Sequence, residues 1–556
     1  MTSGPALIPA PTSLTLLEGR LTLPPRLPTS GPLPWVDTLR TLLTPGSGLA
    51  VDQTLDESTA LVRLVERASV VGPPGSYDLT VDGSGVTLVS PDRAGLVHAV
   101  ATLRQLLPAW ACGPAPAGIG SISLPHLRIH DEPYFAWRGM HLDVGRHFQP
   151  LDSLLRFVDL LALHKFNVFH LHLTEDQGWR FEVTAYPRLT EVGAARPETR
   201  LPAWATGDGT PHGGYYTQAQ LRALVAYAAE RGIMVVPEID LPGHVRALLA
   251  AYPEFGEPTA PATTVATTVG VFPEVLHLAD ATVAMIETVL AELLDVFPSP
   301  DIHIGGDECP REQWRGSAAA GVLAAERGLS GVDLLQQWFT THLRDWLASR
   351  GRRLVGWDEI IDDGPLTDTL VMSWQGSEPG ARAMAQGNDV VLCAPPYYFD
   401  HYQSTDPEEP YAIGGLATWQ DVLTTDPYAG VAAPLRPHLL GVQGQVWTEY
   451  LPTPRHVDYA TWPRAAALAE VAWAGPSRSA RRDSRQATEL EVTDSEDSDS
   501  EDTELDALLA PADAVTEFES RLRVHLARLD AAAVDYRPLD GPRPWQRGGT
   551  GRWARP

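Results

Sequence analysis

The stretch IHIGGDE, residues 302–308, shows a pattern that recurs along much of this 556-residue chain. A short apolar run of β type, Ile302–Gly305, is followed almost at once by two acids, Asp307 and Glu308. Seven further runs of this type occur from residue 136 onward, and longer amphipathic runs separate them. Alternating strands and helices predict a parallel sheet. Eight such units predict an α/β fold, a (β/α)8 TIM barrel.

The predicted strands are short runs rich in apolar and β-branched residues. They are Ala136–Leu142, Phe166–Leu173, Ile233–Pro237, Ile302–Gly305, Leu354–Trp357, Leu370–Trp374, Val390–Cys393 and Leu440–Val446. The predicted helices have apolar residues at helical spacing. They include Leu151–His164, Gln218–Arg231, Ala281–Phe297, Leu334–Arg350 and Trp462–Trp473. A doubly wound sheet is the alternative, but no G-x-G-x-x-G follows an early strand.

A hairpin and a helix precede the barrel. Tyr77–Ser90 carries two alternating runs around the turn DGSG, residues 82–85, and Gly95–Leu107 follows with helical spacing. These elements predict a small α+β domain. We therefore place an N-terminal domain at residues 1–132 and the barrel domain at residues 133–545.

The barrel domain contains an acidic insert at about residues 477–512. An Arg/Ser run leads into TELEVTDSEDSDSEDTELD, whose low hydrophobicity and like charge predict disorder. Helical periodicity returns at Val515–Leu529, so the segment interrupts the domain and does not end it. We interpret it as a solvated loop, and a regulatory or partner-binding segment is the alternative.

The composition narrows the class of protein. The net charge is −28 and 44% of residues are hydrophobic, as in a soluble globular protein. No basic stripe indicates nucleic-acid binding, and the acidity argues against an anionic membrane surface. The three cysteines indicate neither a disulfide framework nor a zinc site. We see no signal peptide and no membrane helix and expect a cytoplasmic protein, although a start codon upstream of Met1 would leave secretion open.

The ends of the predicted strands collect acidic and aromatic side chains. In a (β/α)8 barrel the active site lies at the carboxyl ends of the strands. Aromatic rings contact the apolar faces of sugars, and carboxylates and arginines bind their hydroxyls. Paired acids supply acid–base catalysis at a glycosidic bond. The pattern indicates a carbohydrate-active enzyme, and its members are Asp143, Arg146, Asp176, Glu238, Asp240, Asp307, Glu308, Trp357, Trp374, Tyr398, Asp400, Trp447 and Glu449.

Eight motifs resemble those of the family 20 glycoside hydrolases, the β-N-acetylhexosaminidases, and they occur along the chain in the family's order. The most specific is H-x-G-G-D-E, present as His303–Glu308. The resemblance covers roughly residues 75–475 and 515–540 and implies that the N-terminal domain is non-catalytic. The other motifs are WRGMHLDVGRHF (137–148), NVFHLHLTEDQGWR (167–180), PEIDLPGH (237–244), GWDE (356–359), SW (373–374), YFD (398–400) and QVWTE (445–449).

The resemblance implies a retaining exo-β-N-acetylhexosaminidase that removes terminal N-acetylglucosamine or N-acetylgalactosamine. In such enzymes the acetamido oxygen of the substrate attacks the anomeric carbon and forms an oxazolinium intermediate. The implied catalytic residues are Glu308 as general acid, Asp307 as the acceptor of the acetamide N–H, and Tyr398 as the partner of the acetamide oxygen. We expect Asp307 to raise the pKa of Glu308. Both acids can reach one site only if the backbone leaves strand geometry, which Gly305–Gly306 would permit.

The remaining implied roles concern binding. Trp357, Trp374 and Trp447 would enclose the acetamide methyl. Arg138, Asp400 and Glu449 would bind the distant sugar hydroxyls. Asp176, His244 and His303 would lie behind Glu308 without touching the substrate and would adjust its properties.

We expect no cofactor and no metal. The expected partner is an oligosaccharide or glycoconjugate, with no nucleic acid and no membrane, and the chain is a possible homodimer. One alternative is a family member that releases a disaccharide, as a lacto-N-biosidase does. A more distant one is a metal-dependent barrel amidohydrolase that uses His170, His172 and His244.

Overall fold

The computed structural model describes residues 4–67, 72–117, 121–201, 205–258, 260–261, 263–475 and 511–548. These residues form a seven-stranded sheet with two helices, followed by a closed barrel of eight strands. The acidic insert predicted at 477–512 lies outside the described residues, apart from its last two. No helix in the described ranges is long and apolar enough to cross a membrane.

The N-terminal sheet has the strand order β1-β7-β5-β6-β4-β2-β3. The predicted hairpin is β5 and β6, and β5 buries alternate residues, Tyr77, Leu79 and Val81, as a strand with one face on a core does. Helices α1 (Leu33–Ser47) and α2 (Arg93–Leu106) pack together. The strands are β1 Ser13–Leu23, β2 Arg26–Ser30, β3 Ala50–Gln53, β4 Val62–Glu66, β5 Tyr77–Asp82, β6 Gly85–Ser90 and β7 Ile122–Asp131.

The second body is the predicted (β/α)8 barrel, and the prediction of its fold class is confirmed. All eight strands pair in parallel and in chain order, and the last strand closes onto the first. They are β8 Trp137–Asp143, β9 Val168–His172, β10 Met234–Glu238, β11 Asp301–His303, β12 Arg353–Trp357, β13 Leu370–Ser373, β14 Asp389–Leu392 and β15 Leu439–Gly444.

Helices surround the barrel, and each predicted helix is present within a few residues of its expected bounds. Between β12 and β13, however, the chain forms a 3-10 turn, Asp358–Ile361, in place of an α-helix. The α-helices after the N-terminal domain are α3 Leu151–Leu163, α4 Arg188–Glu191, α5 Gln218–Glu230, α6 Arg246–Ala251, α7 Asp280–Val296, α8 Glu312–Arg315, α9 Ala318–Glu326, α10 Leu335–Ala348, α11 Ser377–Ala385, α12 Trp419–Thr424, α13 Pro454–Thr461, α14 Arg464–Ala474 and α15 Pro511–Ala531.

A buried ionic cluster joins the sheet to the amino end of the barrel. The Asp131 carboxylate accepts hydrogen bonds from Lys165 Nζ (2.6 Å), the Tyr77 hydroxyl (2.7 Å) and Trp473 Nε1 (2.8 Å). Asp131 and Lys165 are almost wholly buried. The three donors belong to the sheet, the barrel and α14, so one carboxylate connects both bodies.

Arg138 belongs to this same end of the barrel. It is the second residue of β8, and its guanidinium donates to the carbonyls of Lys165 (2.8 Å) and Phe135 (2.9 Å) and lies 3.3 Å from His98 Nε2. The prediction that Arg138 binds sugar hydroxyls is therefore wrong, because the strand carries it away from the carboxyl ends where the acids gather.

Replacing Asp131 by asparagine should destabilise the protein strongly. The Lys165 ammonium would stay buried without its counter-charge, which costs about 3–5 kcal/mol. Urea unfolding measures the change. Asp78→Asn is the control, since Asp78 is half-exposed and pairs with His130 at 2.8 Å, and it should cost less than about 1 kcal/mol. Similar losses in both variants would contradict the assignment.

Candidate active site

The two acids of the GGDE motif lie in a turn that leaves strand geometry, as predicted. Strand β11 ends at His303, and the backbone is left-handed at Gly305 (φ +69°), Gly306 (φ +99°) and Glu308 (φ +47°). A Cβ at Gly305 would overlap Asp240 Oδ1, so only glycine fits there. The turn directs Asp307 and Glu308 toward the same imidazole.

That imidazole belongs to His244, which follows β10. Its Nε2 lies 3.5 Å from Glu308 Oε2 and 3.9 Å from Asp307 Oδ2. Its Nδ1 lies 3.1 Å from Asp176 Oδ2 and 3.2 Å from Glu175 Oε2. Burial alone would lower the pKa of His244, but Glu175 and its other acidic neighbours raise it well above the ordinary value. His244 thus lies within 4 Å of four carboxylates, which favour its protonated form, and the structure brings the predicted Asp176, His244 and Glu308 together.

The two acids differ in pKa, and not in the expected order. The His244 imidazole, whose Nε2 lies 3.5 Å from Glu308 Oε2, lowers the pKa of Glu308, whose side chain is 39% exposed. Burial raises the pKa of Asp307 to about 7. The expectation that Asp307 raises the pKa of Glu308 is wrong for the protein without substrate. The effect of His244 on this pKa is larger than that of the neighbouring carboxyl.

Arg146 is the arginine that reaches the site. It lies three residues beyond the end of β8, and its guanidinium contacts Glu175 (2.8 Å) and approaches Glu449 at 3.9 Å. It also lies 4.8 Å from the Trp447 ring centroid. The motif WRGMHLDVGRHF contains both arginines, and their positions relative to the strand distinguish them. Arg138 lies near the start of β8, and Arg146 follows its end.

Asp400 and Glu449 lie in the wall beside Arg146. Both are buried, and each has one carboxylate oxygen without a hydrogen-bond partner among the described residues. Burial, and then the charge of Glu449, raises the pKa of Asp400 to about 8. Burial also raises the pKa of Glu449. Unpaired buried oxygens are costly, and hydroxyl donors from a ligand would satisfy them.

The three predicted tryptophans lie at or just beyond the carboxyl ends of β12, β13 and β15 and pack against one apolar cluster. Trp357 is buried and donates from Nε1 to Glu238 (2.9 Å), and its ring lies 5.6 Å from that of Trp447. Trp374 donates from Nε1 to Glu359 at 2.8 Å. The Tyr398 ring lies 6.5 Å from that of Trp374, and its hydroxyl donates to the Trp374 carbonyl at 2.7 Å. The structure thus brings the aromatic residues into one group.

His303 lies inside the barrel and not against Glu308. Its Nδ1 is 2.9 Å from Glu238 Oε1 and 3.0 Å from the Gly305 amide nitrogen, so it contacts the turn that carries the two acids. Glu238 also contacts His170 (3.0 Å) and His172. The position of Glu238 at the end of a strand indicates no role by itself, because its burial among histidines is a tertiary feature.

Several acid–histidine groups have donor atoms close enough to hold a cation. One consists of His170, Glu238 and His303, and another of Glu175, Asp176 and His244. Within the described part of the chain, no such group combines His170 or His172 with His244. The donor set that the amidohydrolase alternative requires is therefore divided between the barrel interior and its rim.

The comparisons with known proteins agree with this geometry. The sequence profile of glycosyl hydrolase family 20, catalytic domain, matches residues 135–476, and that of family 20, domain 2, matches residues 4–132. The chain therefore belongs to glycosyl hydrolase family 20. The GH20 β-N-acetylhexosaminidase from Streptomyces coelicolor A3(2) has a similar structure, with a TM-score of 0.77 and 28% identity over 97% of this chain and 98% of that one.

Curated relatives are named as hexosaminidases. A β-hexosaminidase of Porphyromonas gingivalis is 38% identical and a β-hexosaminidase of Vibrio furnissii is 37% identical, over 71% and 73% of this chain. The chain spans 50% and 66% of the length of these two relatives. A β-N-acetylhexosaminidase of Cellulomonas fimi is 33% identical over 85% of this chain and 90% of its own.

Gly305→Ala should be far more destabilising than an ordinary glycine substitution at positive φ. Gly328 is the matched control, since its φ is +72° against +69° at Gly305 and nothing lies within 4 Å of a Cβ added there. Gly328→Ala should cost about 1–2 kcal/mol from backbone conformation alone. Gly305→Ala adds the clash with Asp240, and urea unfolding of both variants measures the excess. Equal costs would show that the turn can relax around a methyl group.

Asp307→Asn should stabilise the protein in a pH-dependent way. Asp307 binds its proton more tightly when folded (pKa about 7) than when unfolded (3.8), so the wild type loses stability as pH rises between these values. Asparagine does not ionise, so the advantage of the variant should grow by about 1.4 kcal/mol per pH unit in that window and level off above it. Urea unfolding at pH 5 and pH 8 tests this, and an advantage independent of pH would contradict it.

Proposed function

We propose that this protein is a retaining exo-β-N-acetylhexosaminidase that hydrolyses terminal, non-reducing, β-linked N-acetylglucosamine or N-acetylgalactosamine. The observation that carries the proposal is the convergence of Asp307 and Glu308 on His244, in a turn at the mouth of the barrel. The aromatic group formed by Trp357, Trp374 and Trp447, together with the names of the relatives, supports the acetamido sugar as substrate.

Glu308 is the proposed general acid. It gives its proton to the glycosidic oxygen as the bond from that oxygen to the anomeric carbon breaks. A bound sugar chain would cover the exposed part of the Glu308 side chain, and this desolvation raises a carboxyl pKa. Glu308 then removes a proton from the water that attacks the intermediate, which restores its starting state.

The proposed nucleophile is the acetamido oxygen of the substrate, which forms a bond to the anomeric carbon and gives an oxazolinium ion. The Asp307 carboxylate accepts the acetamide N–H, which favours its charged form and offsets the burial that raises its pKa. The Tyr398 hydroxyl has one proton, now donated to the Trp374 carbonyl. Rotation about its C–O bond would present that proton to the acetamide oxygen. The two displacements at the anomeric carbon together retain its configuration.

Arg146, Asp400 and Glu449 are the proposed partners of the distant sugar hydroxyls. Asp400 and Glu449 are only 7% and 9% exposed, which supports a closed end of the pocket. A closed end favours release of one sugar over release of a disaccharide. A cytoplasmic location and a homodimer stay predictions from the sequence.

Hydrolysis of two matched aryl β-glycosides, one of N-acetylglucosamine and one of glucose, tests the proposal. Substrate assistance requires the acetamide, so only the first should be cleaved rapidly, and EDTA should not change the rate. The same assay separates the alternatives: cleavage that EDTA abolishes would support a metal-dependent barrel hydrolase, and equal cleavage of both sugars would contradict assistance by the acetamide.

Glu308→Gln should reduce hydrolysis in proportion to the need for a proton. The rate constant for N,N′-diacetylchitobiose, whose sugar leaving group is poor, should fall by about 100-fold or more. The loss should be much smaller for 2,4-dinitrophenyl N-acetylglucosaminide, whose leaving group needs little protonation. Measurement of kcat on both substrates tests this prediction. An equal loss on each would contradict the role of Glu308 as general acid.

A further inference from the structure

The carboxylate of Glu238 lies in the barrel interior and takes no part in the chemistry proposed above. Glu238 is the last residue of β10 and is completely buried. Nitrogen atoms from three other strands surround its carboxylate. They are His170 Nε2 (3.0 Å) and His172 Nδ1 from β9, His303 Nδ1 (2.9 Å) from β11, and Trp357 Nε1 (2.9 Å) from β12. One carboxylate therefore joins the strands on both sides of its own.

Trp357 is the residue through which Glu238 can act on the candidate active site. The only polar atom of an indole is Nε1, which donates and cannot accept. Trp357 is 1% exposed, and its N–H group donates to Glu238. A hydrogen bond to an ionised acceptor is about twice as strong as one between neutral groups. The contact thus restricts rotation of the indole about its Cβ–Cγ bond, while the ring packs against His303 with centroids 4.8 Å apart.

Histidines stabilise the charge of Glu238. Although burial raises it, His172 and the two other histidines hold the pKa of Glu238 well below its ordinary value. His172 lies between two acids, with Nδ1 toward Glu238 and Nε2 3.0 Å from Glu175 Oε1. Although burial lowers it, these two acids raise the pKa of His172 well above its ordinary value. Both shifts favour the carboxylate form of Glu238, which accepts hydrogen bonds and does not donate.

The orientation of the Trp357 ring matters for the chemistry beside it. In the proposed function Trp357 is one wall of the pocket that encloses the acetamide methyl. The acetamido oxygen must lie about 3–3.5 Å from the anomeric carbon before it attacks, and a misplacement of about 1 Å can cost a factor of about 100 in rate. A wall held in one orientation keeps the acetamide in place and limits the size of the acyl group.

We propose that Glu238 is a positioning residue, which holds the Trp357 indole as a wall of the acetamide pocket and so selects the N-acetyl group over larger acyl groups. The inference rests on the proposed function, because it takes the acetamide to lie against Trp357. Glu238 itself does not touch the substrate. Its Oε1 faces Trp357 and His303, and its Oε2 faces the two histidines of β9.

Glu238→Met and Glu238→Gln separate the effect of the hydrogen bond from that of the charge. Methionine is similar in length and has only a weak acceptor, so Glu238→Met should lower kcat for an aryl N-acetylglucosaminide about tenfold. The preference in kcat/KM for this substrate over its N-propionyl analogue should fall about three- to tenfold. Glutamine keeps one oxygen for Trp357 if its NH2 group faces the histidines. Glu238→Gln should therefore recover most of the preference, although both variants lose stability.

Glu257→Met is the matched control for the loss of a buried glutamate. The Glu257 side chain is 1% exposed and pairs with His277 at 2.9 Å, and neither residue belongs to the candidate active site. This variant should lose stability in urea but keep the wild-type preference for the N-acetyl substrate. An unchanged preference in Glu238→Met, or an equal loss of preference in all three variants, would overturn the proposal. Equal cleavage of acetamido sugar and glucose by the wild type would instead contradict the proposed function.

The hydrogen bond is also testable without turnover and without a variant of Glu238. In protein labelled with 15N in the indole rings, Trp357→Phe identifies the NMR signal of Trp357 by its disappearance. A buried N–H group bound to a carboxylate should exchange slowly with water. Added N-acetylglucosamine should shift this signal, and added glucose should not. Rapid exchange, or an equal response to the two sugars, would overturn the proposal even if Glu238→Met did not fold.

Discussion

The candidate active site depends on the left-handed turn from Gly305 to Glu308. On a regular strand, neighbouring side chains point to opposite faces, and Asp307 and Glu308 would diverge. Positive φ at three of four positions rotates both acids toward His244. Asp240 occupies the space that a side chain at Gly305 would need. Glu308 has a Cβ and pays a steric penalty at φ +47°, which the surrounding ionic contacts must offset.

The carboxylates around this turn differ in pKa, and two cations contribute to the differences. Although burial opposes it, Arg146 and His244 hold the pKa of Glu175 well below its ordinary value, and His244 lowers the pKa of Glu308. Asp307 and Asp400 are buried without so close a cation, and their pKa values rise. Carboxyls with separated pKa values in one cleft are typical of acid–base catalysis. The pKa of each acid thus depends on its burial as well as on its distance from these two cations, since burial raises the pKa of Asp176 although this acid lies 3.1 Å from His244.

The first barrel strand, β8, runs from the end of the barrel that contacts the N-terminal sheet to the end that carries the candidate site. At its amino end Arg138 packs over Trp473, beside the Asp131–Lys165 pair that joins the N-terminal sheet to the barrel. Beyond its carboxyl end Arg146 joins the candidate site. This arrangement separates structural support from chemistry along a single strand, as is usual in this fold. The N-terminal domain accordingly contacts the end of the barrel opposite the candidate site.

The barrel could be predicted from the sequence because each strand is a local apolar run, and the acids could be located because they follow such runs directly. The first 70 residues offered no such signal: β1 is largely exposed and lacks regular alternation, so its pairing with β7 is decided by tertiary contacts. The choice between Arg138 and Arg146 depended on which end of a strand faces the site. The protonation of Glu308 was decided by His244, more than 60 positions earlier in the chain, because electrostatic coupling depends on distance in space and on burial, which residue order does not specify.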